Sequence, residues 1–284
     1  MKAMERAYTL GLYEKAMPSD LTWREKLLAA KEAGFDFVEI SIDETDAKLS
    51  RLDMTKEERL GLVQLMQETG VPIRTMCLSG HRKYPLGSSD PAVEARGIEI
   101  MEKAIRLAED LGIRIIQLAG YDVYYEESTF ETKKRFLANL KKAADMAAKA
   151  GVTMGFETME NEFMNTVEKA MKYVTLVGSP YLNVYPDIGN ITNAAKTYEN
   201  DVLEDLELGK GHIVAMHLKE TVPGKFREIP FGTGHVDFES AVTKAWELGV
   251  RKYVTEFWYT GNPEWKEDLT FANEMFTRIL NGRA

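Results

Sequence analysis

Apolar positions along this chain alternate between two periods. Stretches with a helical spacing end in glycine, and each glycine is followed by a short β-rich run. The first helical face carries Trp23, Leu27, Ala30 and Gly34, and the fourth carries Phe136, Leu140, Ala144 and Ala147. The joints are Gly34-Phe-Asp-Phe-Val-Glu-Ile, Gly70-Val-Pro-Ile-Arg-Thr-Met, Gly112-Ile-Arg-Ile-Ile-Gln-Leu and Gly151-Val-Thr-Met-Gly-Phe, followed by runs after Gly178, Gly211 and Gly249. Glycine past a helix end adopts the left-handed conformation at little cost, and the run after it is predicted to bury as a strand. Seven joints and an opening strand at Tyr8–Tyr13 predict eight strands, with a closing helix at Glu264–Leu280. Capping boxes are predicted at Thr22-x-x-Glu25, Thr55-x-x-Glu58 and Ser128-x-x-Glu131, and Asp90-Pro91 reads as a cap followed by a first-turn proline.

Strands alternating with helices imply a parallel sheet with right-handed crossovers. Eight units in 284 residues favour closure into a (β/α)8 TIM barrel, read as one domain over residues 1–284. A doubly wound open sheet would use fewer strands, and no G-x-G-x-x-G follows the first strand.

Four of the predicted strands end in residues that bind metals. Val152–Glu157, Leu182–Asp187, Ile213–His217 and Tyr253–Glu256 finish in Glu157, Asp187, His217 and Glu256, spaced 30, 30 and 39 residues apart. An acid closing an apolar run is costly to bury without a partner. Barrel sites lie at the C-terminal ends of strands, and three carboxylates share a small site only if a cation neutralises them. Carboxylates with one imidazole suit Mn²⁺, Mg²⁺ or Zn²⁺.

Composition narrows the function. Lys and Arg number 36 against 45 Asp and Glu, a net charge of −9, which opposes a nucleic-acid surface but not a small anionic substrate. Cys77 is the sole cysteine, so no internal disulfide forms and a reducing cytoplasm is expected. Met1-Lys2-Ala3-Met4-Glu5-Arg6 has no signal-like apolar core, and no run suits a membrane span.

Several stretches together resemble the L-ribulose/L-xylulose 5-phosphate 3-epimerase family of the xylose-isomerase-like barrels, the ascorbate-utilisation type. They are Gly11-Leu-Tyr-Glu-Lys-Ala16, Gly34 to Asp46, Leu49-Ser-Arg-Leu-Asp53, Cys77-Leu-Ser-Gly-His-Arg82, Pro85-Leu-Gly-Ser88, Ile116 to Tyr125, Tyr185 to Asn190, His212 to Lys219 and Pro230 to Phe238. The resemblance implies that Glu157, Asp187, His217 and Glu256 bind a divalent metal. It also implies that Glu157 and Glu256 exchange a proton at C3 of a pentulose 5-phosphate through a metal-stabilised cis-enediolate. It implies a homodimer, and phosphate binding by the first loop and the third-helix region.

Candidates for that phosphate site are Lys15, His81, Arg82 and Ser88, with the helix start at Pro91 as an anion site. Lys219 is expected to face the mouth. Asn190 stands where related ketose 3-epimerases place a histidine; it can hydrogen-bond a hydroxyl but does not titrate. Tyr13, Tyr121, Tyr124, Tyr125 and Trp258 are candidates to wall the pocket. Two rivals remain. An aldose–ketose isomerase acting on a hexulose 6-phosphate would use much the same ligands. A multi-zinc barrel endonuclease needs more histidines than the four present, of which only His217 and His81 fall at strand ends.

Overall fold

The computed structural model describes residues 6–283. The opening Met1–Glu5 stretch, on which the expectation of no signal segment rests, lies outside the described residues. Eight parallel strands run β1 Thr9–Tyr13, β2 Phe37–Ile42, β3 Ile73–Leu78, β4 Ile115–Ala119, β5 Thr153–Glu157, β6 Leu182–Val184, β7 Met216–Leu218 and β8 Lys252–Thr255. They are laddered in the order β6-β5-β4-β3-β2-β1-β8-β7. The ring closes between β6 and β7 through two isolated bridges, Val184 with Ile213 and Asp187 with His217. Eight main helices alternate with the strands: α1 Trp23–Glu32, α2 Lys56–Thr69, α3 Pro91–Leu111, α4 Phe130–Ala150, α5 Val167–Val177, α6 Ile188–Tyr198, α7 Phe238–Glu247 and α8 Trp265–Asn281. The molecule is thus a (β/α)8 barrel. Among the described residues no helix is long and apolar enough to cross a membrane.

The two periods seen in the sequence become two cores. Residues of β2 and β3 such as Val38, Ile40, Met76 and Leu78 point outward and pack against the helices, together with Leu27, Phe136 and Leu140. Their neighbours point inward, where Tyr13, Phe37, Cys77, Ile115, Tyr185, Ala215 and Val254 form a separate inner cluster. Strand side chains alternate faces. The other inward positions fall to polar residues interleaved with this cluster, among them Glu39, Ser41, Thr75, Gln117, Glu157 and His217, all buried.

All seven predicted glycine joints take positive φ, between 65° and 90°. Capping boxes form at Thr22 and Thr55, and Asp90 caps α3 with proline in its first turn. The predicted Ser128 box is displaced by one residue: Thr129 and Thr132 form it, while the Ser128 hydroxyl donates to Asp122 at 2.8 Å. β6 also stops earlier than predicted. Pro186 has no N–H to continue a ladder, and Asp187 lies past the strand as the N-cap of α6. β7 starts at Met216 rather than Ile213, which keeps only its single bridge. Glu256 follows the end of β8, its amide donating to Leu218 O at 2.9 Å. Two short helices, Asp46–Leu49 and Val202–Glu207, have no counterpart in the periodicity.

Candidate active site

The C-terminal ends of the strands surround a cavity of about 160 Å³, lined by Tyr13, Lys15, Cys77, Glu157, Lys219 and Glu256 among others. That is below the roughly 300 Å³ at which sites for drug-sized ligands begin, so it suits a small polar molecule. Glu157, Asp187, His217 and Glu256 come together at its floor: each offers one ligand atom, and these atoms all lie within 4.8 Å of one another. Ligands bound at about 2.1 Å stand at most about 4.2 Å apart, so small side-chain rotations would close this group on one ion.

Local structure explains how each side chain arrives there. Glu157 ends β5 facing inward, and the Gln117 amide of β4 holds its Oε2. Its Oε1 is left 3.4 Å from His217 Nδ1. Asp187 spends Oδ1 on the amide of Asn190 at 2.8 Å, as a helix cap does. Its Oδ2 and the Oε2 of Glu256 are buried and point toward each other's side of the group. Lys219 Nζ approaches the same two atoms as an ion pair, at 2.7 Å and 3.5 Å. His217 Nδ1 lies 3.3 Å from Glu256 Oε2 and 4.0 Å from Asp187 Oδ2.

Two carboxylate oxygens aimed at one point beside an imidazole nitrogen, with Lys219 Nζ as their cationic neighbour, are the donor set a divalent cation uses. Charge points the same way. Four buried carboxylates, counting Glu39 behind His217, face at most two cationic groups, His217 and Lys219. Burial raises the Glu157 carboxyl and the neighbouring Glu256 raises it further. Burial likewise lifts Asp187 well above its ordinary range, against the pull of Lys219. Glu256 is driven well below the ordinary value: burial opposes this, and Lys219 and His217 overcome it. Burial alone would lower His217, but Glu39 and Glu256 hold it well above its usual value.

The other predicted residues divide into two groups. Lys15, Arg82, Asn190 and Lys219 line the cavity. Lys15 pairs with Asp43 at 2.6 Å, and among the described residues Arg82 receives no carboxylate closer than Glu160 at 3.6 Å. Asn190 Nδ2 donates to Thr158 O at 2.7 Å, leaving its Oδ1 buried and unpartnered beside the cavity. His81 and Ser88 do not reach it. The His81 ring is buried with Nε2 3.0 Å from Gly97 O, tying the turn after β3 to α3, and burial lowers it to about 4. Ser88 is fully buried and bonded to the Glu126 carboxylate. Of the aromatics, Tyr13 and Trp258 line the cavity. Tyr121 and Tyr124 instead pack on Arg82, 5.7 and 4.8 Å from its guanidinium, and Tyr125 is exposed.

Sequence reading missed Glu39, Gln117 and Arg227. The first two sit at inward β positions that alternation could have flagged as buried polar groups. Arg227 lines the cavity from the long loop between β7 and α7, 3.7 Å from Glu160 and over the Trp258 ring, and no periodicity marks that loop.

A closed eight-stranded parallel barrel with a carboxylate-rich, one-histidine ligand group at its C-terminal mouth is the architecture of the xylose-isomerase-like class. The family model for xylose isomerase-like TIM barrels matches residues 27–275, and the chain belongs to that family. Within it, the chain groups with the L-ribulose-5-phosphate 3-epimerase UlaE proteins. It is 50% identical to that of Salmonella paratyphi C (strain RKS4594) over 256 residues, 90% of this chain and 89% of the relative. The same figures hold for that of Escherichia coli (strain SMS-3-5 / SECEC). Among solved structures, a D-psicose 3-epimerase in the presence of D-fructose superposes with a TM-score of 0.79 at 15% identity, covering 96% of this chain and 99% of that one. An L-ribulose 3-epimerase superposes with a TM-score of 0.76 at 20% identity, covering 97% and 95%. At these identities the structural likeness speaks for the fold.

Proposed function

We propose that this protein is a metal-dependent 3-epimerase interconverting L-ribulose 5-phosphate and L-xylulose 5-phosphate. The observation that carries this reading is the convergence of two glutamates, Glu157 and Glu256, on one small cavity with Asp187 and His217 between them. The 50% identity to L-ribulose-5-phosphate 3-epimerases over 90% of the chain supplies the substrate class.

Glu157, Asp187, His217 and Glu256 would hold a divalent cation, Mn²⁺, Mg²⁺ or Zn²⁺ by the chemistry of the donors. Such a cation supplies Lewis acidity toward the C2 carbonyl and the neighbouring hydroxyl. The chain's own part is proton transfer at C3. One glutamate, as carboxylate, takes the C3 proton while the C–H electron pair moves into the C2–C3 bond and the carbonyl π pair shifts onto O2. The other, as carboxylic acid, returns a proton to the opposite face of C3 as that electron pair comes back. The two environments suit opposite protonation states, since Glu256 is pulled down by Lys219 and His217 while Glu157 is pushed up by burial.

Lys15 and Arg82, on the side of the cavity formed by the first and third loops, are the cations we assign to the 5-phosphate, with Lys219 and the Asn190 carbonyl oxygen meeting substrate hydroxyls. Tyr13 and Trp258 limit water. We take residues 1–284 as one domain and, with the family, expect a cytoplasmic homodimer serving L-ascorbate breakdown.

The test is incubation with L-ribulose 5-phosphate and Mn²⁺ in D₂O, followed by NMR. L-xylulose 5-phosphate bearing deuterium at C3 is the expected product. An aldose product, carrying deuterium at C2 if a proton is moved and none if a hydride is, would instead assign an aldose–ketose isomerase.

A further inference from the structure

Glu39 sits on β2 inside the barrel, on the far side of the His217 ring from the ligand group. It is fully buried and is not among the cavity-lining residues, so it meets neither solvent nor substrate. Its Oε1 lies 2.6 Å from His217 Nε2, and its Oε2 accepts the Tyr185 hydroxyl at 2.9 Å. Both carboxylate oxygens are thus taken by groups with a proton to give. Tyr185 also packs on the imidazole, with ring centroids 4.7 Å apart. The other ring nitrogen, Nδ1, faces Glu256, Glu157 and Asp187 at 3.3, 3.4 and 4.0 Å.

A neutral imidazole has one N–H and one lone pair, and the hydrogen bond made by one nitrogen decides the role of the other. A carboxylate can only accept, so Nε2 must carry a proton, and a cation that displaces the proton of Nδ1 would find the lone pair there. Tyr185 fixes the carboxylate that fixes the ring. Nothing else touches Nε2 within hydrogen-bonding distance among the described residues.

We infer that Glu39 is a positioning residue, held by Tyr185, that locks His217 as the Nε2–H tautomer and aims Nδ1 at the space between Glu157, Asp187 and Glu256, raising the affinity of that site for a divalent cation. This rests on reading the four-residue group as a cation site. Partners of this kind behind a metal-bound histidine change metal affinity by about 10- to 100-fold.

The experiment is Mn²⁺ titration of the full chain, followed by the EPR signal of the free aqueous ion, on wild type, Glu39→Gln, Glu39→Ala and Tyr185→Phe. Glu39→Gln keeps an acceptor but loses the charge, so about tenfold weaker binding is expected. Glu39→Ala removes the acceptor and should approach a 100-fold loss. Tyr185→Phe, which keeps the ring, should cost a few-fold. Thermal unfolding without added metal is measured alongside. A merely structural Glu39 would lower that midpoint and leave the Mn²⁺ affinity of the folded protein within twofold of wild type, and this result overturns the inference. Should Glu39→Ala not fold, Glu39→Gln and Tyr185→Phe decide by the same criterion. Wild type that takes up no Mn²⁺ would instead reject the cation site itself.

Discussion

Glu157 and Glu256 share the duty of metal ligand and proton carrier in the proposed reaction, and their removal should show both. Replacing either by glutamine keeps the volume but removes the base or acid on one face of C3. Each variant should lose at least about 10²–10⁴ in kcat for epimerisation, the usual worth of a positioned acid or base. With metal at saturating concentration, each should still exchange the C3 proton of one epimer with D₂O without converting it, and the two variants should prefer opposite epimers. NMR of both substrates reads this directly; normal turnover in either variant removes it from the mechanism. His81 gives a separate prediction at this scale. Its folded pKa, about 4, lies below the ordinary 6.5 because the ring is buried, so the unfolded chain binds more protons between those values. Its contribution is complete above pH 6.5 and falls as pH drops toward 4, by about 3 kcal/mol in all. Urea unfolding of wild type and His81→Gln at pH 7 and pH 4.5 should show a shallower acid loss in the variant. The four ligands were legible in the sequence because each ends an apolar run, which makes its charge conspicuous. His81 and Ser88 follow apolar runs in the same way, but neighbouring segments capture their side chains, and no local pattern records those partners.

The turn after β1 shows what an element needs beyond its own residues. Lys15 faces the cavity because Glu14, its buried neighbour, is pinned from behind: Arg51 Nη1 lies 2.7 and 2.9 Å from the two Glu14 oxygens, and Lys48 joins it. Arg51 also donates to Ser41 O at 3.0 Å and lies 5.0 Å over the Trp23 ring. The segment following β2 therefore clamps the loop following β1. Breaking a buried pair leaves an uncompensated charge and typically costs about 3–5 kcal/mol. With Lys48 still present, Arg51→Met should cost about 2–4 kcal/mol in denaturant unfolding. Because Lys15 moves with the turn, the variant should raise KM for the phosphorylated substrate several-fold and change kcat little; equal stability and unchanged KM would show the clamp to be idle. Elements themselves were largely readable. Glycine at helix ends and Thr-x-x-Glu at helix starts act within a few residues, so their physics is local. The Glu14–Arg51 clamp spans 37 residues, and Ser128 yields its capping role to Thr129 because Asp122 takes its hydroxyl. Both outcomes depend on neighbours that only the folded chain supplies.

Over the whole molecule, eight strand–helix units predicted a barrel, but their periodicity says nothing about which strand pair is weakest. That pair is β6 and β7. β2 and β3 share five partnered positions, whereas β6 and β7 meet only through two isolated bridges, carried by the amides of Val184, Val214 and His217 at 2.9–3.0 Å. Pro186 is one reason, since it cannot donate to the ladder. The four ligand residues belong to β5, the segment after β6, β7 and the segment after β8, so they straddle this seam. A cation bound by all four would tie the two sides together where backbone pairing does not. At a hundredfold excess over its Kd, such a cation adds about 2.7 kcal/mol. For a domain of this size that is roughly 4–5 °C in thermal midpoint, and it should be reversed by a chelator. The gain should also be uneven. Amide hydrogen exchange at Val184, Val214 and His217 should slow on adding Mn²⁺ well beyond any change along β2 and β3, and Asp187→Asn should abolish the difference. A midpoint that rises while protection changes equally around the ring would mean that the cation stabilises the barrel without closing it. The weak seam would then need another explanation than the site built across it.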